Sequence, residues 1–236
     1  MKIGSRYLSF LNYLSTFVKR KLSKLHEANN FCYDDNLVKE YGDVRMNAYT
    51  INFDVITKIN DEQFFQLCRN NPELKLEQNQ NGEIIIMSPT GGETGNKNAE
   101  LITDFCLWNR RQKFGQIFDS STGFKLPLGS KRSPDVAYIQ QERWDKLTQE
   151  EKEKFPPIAP DFVLELKSKT DSLKEVQKKM QEYMDNGVKL GWLINTEKKQ
   201  VEIYRQGQEK EVLDNPQTLS GDDILPEFRL DLALIF

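Results

Sequence analysis

Residues 160–173, PDFVLELKSKTDSL, decide the reading of the fold. Side chains alternate across a strand, so Phe162, Leu164 and Leu166 form one apolar face, while Val163, Glu165 and Lys167 point the other way. Helical patterns precede and follow this run, which predicts a central strand covered on both faces. A half-exposed strand is the alternative, and there Glu165 and Lys167 are a surface ion pair worth about 0–1 kcal/mol. About thirty residues upstream, RSPDVAYI (residues 132–139) opens a second apolar strand with Pro134-Asp135.

Working outward, Asn60 can cap a helix through Asp61–Asn71 whose buried side is Phe64, Phe65, Leu67 and Cys68. ELKLEQ and EIIIMS flank Gln80-Asn81-Gly82, a strong hairpin signal. SPTGGETGNKN reads as a glycine-bearing loop ahead of a long helix, and it lacks the GxxxxGK[ST] spacing of a phosphate loop. Short strands follow at GQIFD and GFKLP, then a polar turn, LGSKRS. A helix is expected from about Ser172 to Asn186, stopped by Gly187. Ser168, Thr170 and Asp171 read as its capping residues. KLGWLIN and QVEIYR read as an edge-like pair. The order predicts an α/β fold, a mixed sheet flanked by helices, over residues 46–236 as one domain.

Residues 1–45 stand apart. They carry a balance of +3, against −6 for the remainder, and the first 25 contain no acid. Tyr7, Phe10, Leu14, Phe17, Val18 and Leu25 make one apolar helical face beside Arg6, Lys19, Arg20, Lys21 and Lys24. Three readings stay open. Met46 is the natural start, or the helix packs on its own domain, or, least favoured, residues 1–25 lie on a membrane surface or a partner. Three scattered cysteines with no CxxC pair, and no apolar run long enough to span a bilayer, suit a cytoplasmic protein.

Of 236 residues only one is histidine, His26. A histidine-based zinc site or a serine or cysteine triad needs imidazoles that the body of the chain lacks. Its chemistry must therefore come from carboxylates, lysines and a hard metal ion. Asp135, Glu165 and Lys167 are what phosphodiester hydrolysis requires: carboxylate oxygens to hold a divalent cation, and an amine to orient water or offset charge.

Pro-Asp followed by Glu-Leu-Lys resembles the PD-(D/E)XK nuclease signature. RSPDVAYI, PDFVLELKSKTDSL, QKKMQEY and NGVKLGWLIN, taken in order, resemble the Uma-type restriction endonuclease family of bacteria over residues 46–236. The resemblance implies a restriction-endonuclease-like fold and a nuclease that cuts DNA using Mg²⁺, with Mn²⁺ as a substitute, leaving 5′-phosphates. It implies Asp135, Glu165 and the Leu166 carbonyl as metal ligands and Lys167 as the catalytic lysine. It further implies that Gln177, Lys179 and Tyr183 face the site. From the residues alone, Gln177 is a polar break in an apolar helical stripe that needs a partner, and Lys179 equally fits a solvated face. A further acid is expected at Glu100 or Glu93. Such nucleases are often homodimers, because two strands require two sites. The family's histidine near Asn96 is missing. That and the acidic body suit an alternative, a catalytically degenerate nuclease-fold module that binds nucleic acid or a protein partner.

Overall fold

The computed structural model describes residues 48–52 and 59–236. The helical extension expected over residues 1–45, with its basic, membrane- or partner-facing side, lies outside the described residues. The chain divides into two compact units, Met1–Arg45 with Asn60–Glu73, and Met46–Ile59 with Leu74–Phe236. In the first, helix α1 (Asp61–Asn70) begins at the expected cap: the Asn60 side chain accepts from the Gln63 N–H, and the Gln63 side chain accepts in return from the Asn60 N–H.

The second unit holds the chemistry. It runs β1 (Ala48–Ile51), β2 (Lys75–Gln78), β3 (Ile84–Met87), α2 (Gly92–Gln112), β4 (Gly115–Asp119), β5 (Phe124–Lys125), β6 (Lys131–Arg132) and β7 (Val136–Gln140). Two short helices follow, α3 (Gln141–Trp144) and α4 (Gln149–Glu153), then β8 (Phe162–Lys167), α5 (Leu173–Asp185), β9 (Leu190–Asn195) and β10 (Gln200–Arg205). β11 (Glu211–Asp214), β12 (Thr218–Ser220) and β13 (Arg229–Asp231) complete the described elements. One sheet has the order β1-β3-β2-β6-β5, a larger one β11-β10-β9-β8-β7-β4, and β12 pairs with β13. β8 runs parallel to β9 and antiparallel to β7, so the large sheet is mixed.

β8 is the central strand that its sequence predicts, with all six residues buried. Phe162, Leu164 and Leu166 pack in a core with Leu101, Phe105 and Trp108 of α2 and with the C-terminal segment around Phe228 and Leu232. Val163 faces a second core with Met180, Tyr183 and Met184 of α5, Leu193 and Tyr204. Because side chains alternate, Glu165 and Lys167 share the α5 side with Val163.

Three local expectations change. SPTGGETGNKN is mostly helical: α2 starts at Gly92, because Glu93 sits in the favourable first turn and pairs with Lys97 one turn on. β9 and β10 are interior strands, since β11, a polar segment that hides its pairing role, forms the edge beyond β10. The N-cap of α5 is Ser172 and makes no side-chain capping bond, while Asp171 instead accepts from the Ser168 N–H at 2.8 Å. Gly187 does end α5, with φ +93.

Candidate active site

β7 and β8 pair through Tyr138↔Phe162, Ala137↔Val163 and Val136↔Leu164. Carried one residue further, that register sets Asp135 opposite Glu165, on the same face of the sheet. Pro134 has no N–H to donate across the ladder, and on the opposite strand the Leu166 N–H is met by a side chain rather than a backbone carbonyl, the Asp135 Oδ2 accepting it at 2.9 Å. The Leu166 carbonyl lies on the same edge of β8. The other Asp135 oxygen is within 3.5 Å of Asn98 Nδ2, from α2. Asn98 Oδ1 is buried with no hydrogen-bond donor.

Around Glu165 the groups form a chain. Its Oε1 accepts from the Tyr183 hydroxyl at 2.9 Å and from Lys179 Nζ at 2.8 Å, both reaching down from α5. The same Lys179 ammonium lies 2.9 Å from Glu77 Oε1, on β2. Glu77 also accepts from the Ser133 N–H at 2.8 Å and from Arg132 Nη1 at 2.9 Å. Arg132 then grips Glu182 of α5 with two parallel bonds, at 2.9 and 2.6 Å. Five charged side chains from β2, β6, β8 and α5 thus close one network beneath the helix.

Burial and these charges divide the carboxylates. Burial raises the Glu165 carboxyl to about 7, against the pull of Lys179 and with the added repulsion of Asp135 and Glu77. Burial also lifts Asp135, in spite of the Leu166 N–H. Glu77 is as deeply buried, but the Lys179 and Arg132 cations and the Ser133 N–H outweigh that and hold it at about 2. Lys179 itself is raised despite burial, because Glu165 and Glu77 flank it.

A family model described as "Putative restriction endonuclease", Uma2, matches residues 61–233. The chain belongs to the Uma2 family. No curated protein matches it. Among solved structures it is similar to a crystal structure of a putative nuclease belonging to DUF820 from Anabaena variabilis, with 24% identity and a TM-score of 0.57, covering 66% of this chain and 87% of that one. This Uma2 protein therefore has a mixed α/β nuclease fold.

Against that fold, the sequence's candidates separate. Asp135, Glu165, Leu166, Lys179 and Tyr183 come together. Lys167 lies on the same face of β8 as Glu165, but its Nζ is engaged by Glu197 at 2.8 Å and the Ser168 carbonyl at 2.9 Å. Gln177 turns toward β10 and donates to Glu202 at 2.6 Å, where Tyr204 and Lys210 also converge. Glu93 is exposed and paired with Lys97 and Lys169. Glu100 lies near Asp104, whose carboxyl is raised by burial first and then by repulsion from Glu100 and Asp231. The second Pro-Asp, Pro160-Asp161, is consumed by structure: Asp161 is fully buried between Arg143 and Lys189, each at 2.8 Å.

Sequence reading missed Glu77, Arg132, Glu182 and Asn98. The only available signals were Arg132 immediately ahead of Ser-Pro-Asp and Glu77 inside a hairpin strand. Neither distinguishes a buried charge from a solvated one. Among the described residues no three acidic, histidine or cysteine side chains group as a metal cage. The donor set still suits a hard cation that keeps much of its water: two carboxylates, a strand-edge carbonyl and the unsatisfied Asn98 oxygen beside Asp135.

Proposed function

We propose that this Uma2 protein is a metal-dependent endonuclease that hydrolyses phosphodiester bonds of DNA. The observation that carries the reading is the half-buried Asp135 in register opposite the buried Glu165, both carboxyls raised, at the point where the β7–β8 ladder opens. Two carboxylates kept this close in low dielectric repel each other, so the arrangement is best satisfied by positive charge between them. Mg²⁺ or Mn²⁺ held by Asp135, Glu165 and the Leu166 carbonyl would supply Lewis acidity, neutralising phosphoryl charge and acidifying water. The chain's own part is to fix those oxygens: the Leu166 N–H aims Asp135, and Tyr183 with Lys179 aims Glu165. Asn98 offers an acceptor for water at the same corner. Lys167 is the motif's lysine and projects from the same face of β8.

With Mg²⁺ or Mn²⁺ the purified protein nicks supercoiled plasmid, and Asp135→Asn or Glu165→Ala reduces the rate by at least about a hundredfold. Cleavage that is absent, or that survives both substitutions, overturns the reading.

A second reading is a catalytically inactive module on the same fold, binding nucleic acid or a protein. It is favoured by Glu165 Oε1 already being occupied by Lys179 and Tyr183. Calorimetric titration separates the two, since a working site binds Mn²⁺ and loses it on Asp135→Asn, whereas an inactive one shows no heat in either protein.

A further inference from the structure

The two lysines near the carboxylates are held in opposite ways. Lys167 belongs to the Glu-x-Lys stretch of β8, but its ammonium is spent on the Ser168 carbonyl and on Glu197, whose side chain is 42% exposed in the turn between β9 and β10. Lys179 comes from a different element, α5, yet contacts Glu165 directly and joins it to Glu77, side chains only 10% and 2% exposed. We infer that Lys179, and not Lys167, is the ammonium that positions the Glu165 carboxylate for the reaction. The inference rests on the nuclease reading of the site and names which amine serves it.

Geometry supports this beyond the single contact. Lys179 and Tyr183 are four residues apart on one helix face and meet the same oxygen, Glu165 Oε1. Two donors on one oxygen fix the carboxylate's rotamer and leave Oε2 without a protein partner among the described residues. The helix cannot easily withdraw its lysine, because Glu182 on α5 is gripped by both arms of the Arg132 guanidinium, itself anchored on Glu77. Lys167 has no such anchor. Its carboxylate partner, Glu197, is 42% exposed on a turn, and neither of the lysine's two bonds joins it to Glu165.

Lys179 acts through Glu165 and is a positioning residue, so the test must register more than lost activity. In steady-state cleavage of a DNA duplex with Mg²⁺, Lys179→Met lowers kcat by about a hundredfold or more with KM within about threefold. It loses at least about tenfold more than Lys167→Met, and Lys179→Arg recovers part of the loss. Independently, protein labelled with ¹⁵N-lysine shows, beside those of the buried Lys131 and Lys167, a Lys179 ammonium signal shielded from solvent exchange. That signal disappears in Lys179→Arg and shifts on adding Mg²⁺ to the wild type but not to Glu165→Gln. Both variants are conservative and keep the fold testable if Lys179→Met does not fold. If the wild type cuts DNA and Lys167→Met is the more damaged variant, the inference is wrong while the nuclease reading stands. If the wild type cuts no DNA, the nuclease reading falls, and an ammonium signal indifferent to Mg²⁺ removes the inference with it.

Discussion

Glu77 is an acid on a four-residue strand, and any pattern-based reading places it in water. The fold instead buries it to 2% exposure, beneath Lys179 and Arg132. Arg132 is 6% exposed and carries two glutamates at once. Removing one member of such a buried set leaves its partners charged and unsolvated, which costs far more than the intact set contributes. Arg132→Ala is therefore expected to lower stability by about 3–5 kcal/mol in urea unfolding. A loss under about 1 kcal/mol, the range of an exposed pair, would show that the network is solvated. Glu93, exposed and paired with the exposed Lys169 and the half-buried Lys97, is the contrast: Glu93→Ala leaves the unfolding curve almost unmoved.

At the level of elements, the site exists because the β7–β8 pairing ends at Val136↔Leu164, next to Asp135, while β8 continues to Lys167. Beyond the Val136↔Leu164 pair the Leu166 N–H is met by the Asp135 carboxylate rather than by a backbone carbonyl. The neighbouring pair, β4 with β7, depends on a close approach at the other end of the register, Gly115↔Gln140. A Cβ on Gly115 would stand 2.1 Å from the Ile139 carbonyl oxygen, a backbone atom with little room to move. Gly115→Ala is accordingly expected to lose about 1–3 kcal/mol, as overpacked sites do, with the thermal midpoint reporting it. An unchanged midpoint would mean that β4 shifts freely against β7. The early start of α2 belongs to this scale too. Had Gly92–Lys97 stayed a loop, Asn98 would not be carried to Asp135 on a helix face.

For the molecule as a whole, the buried carboxylates set how stability follows pH. Glu165 titrates at about 7 when folded and at its ordinary 4.5 when unfolded, so across that window the folded state holds the extra proton and stability falls as pH rises. Asp135, also raised, contributes with the same sign. Glu77 works in reverse: lowered from 4.5 to about 2, it stabilises above 4.5, and that stability is lost as pH falls toward 2. Without added divalent cation, the melting temperature should peak in mild acid and decline toward pH 7. Glu165→Gln should flatten that decline, and an equally steep curve in the variant would place the titrating group elsewhere. No helix among the described residues is long and apolar enough to cross a membrane.

The local rules were enough for the central strand, the hairpin, the first helix cap and the end of α5, and for the two carboxylates of the candidate site. Alternation in DFVLELK with helices on either side determined a central strand, the Asn-Gly hairpin and Gly187 set two turns, and Pro134-Asp135 with Glu165 marked the carboxylates. These are properties of short windows, where side-chain period and backbone freedom act directly. Only the tertiary structure decided which amine meets Glu165, that Gln177 is committed to Glu202, and that Glu77, Arg132 and Glu182 tie the helix to the five-stranded sheet. Those choices are made between residues up to about a hundred positions apart. They turn on whether a charge is buried, and burial is a property of the packed whole.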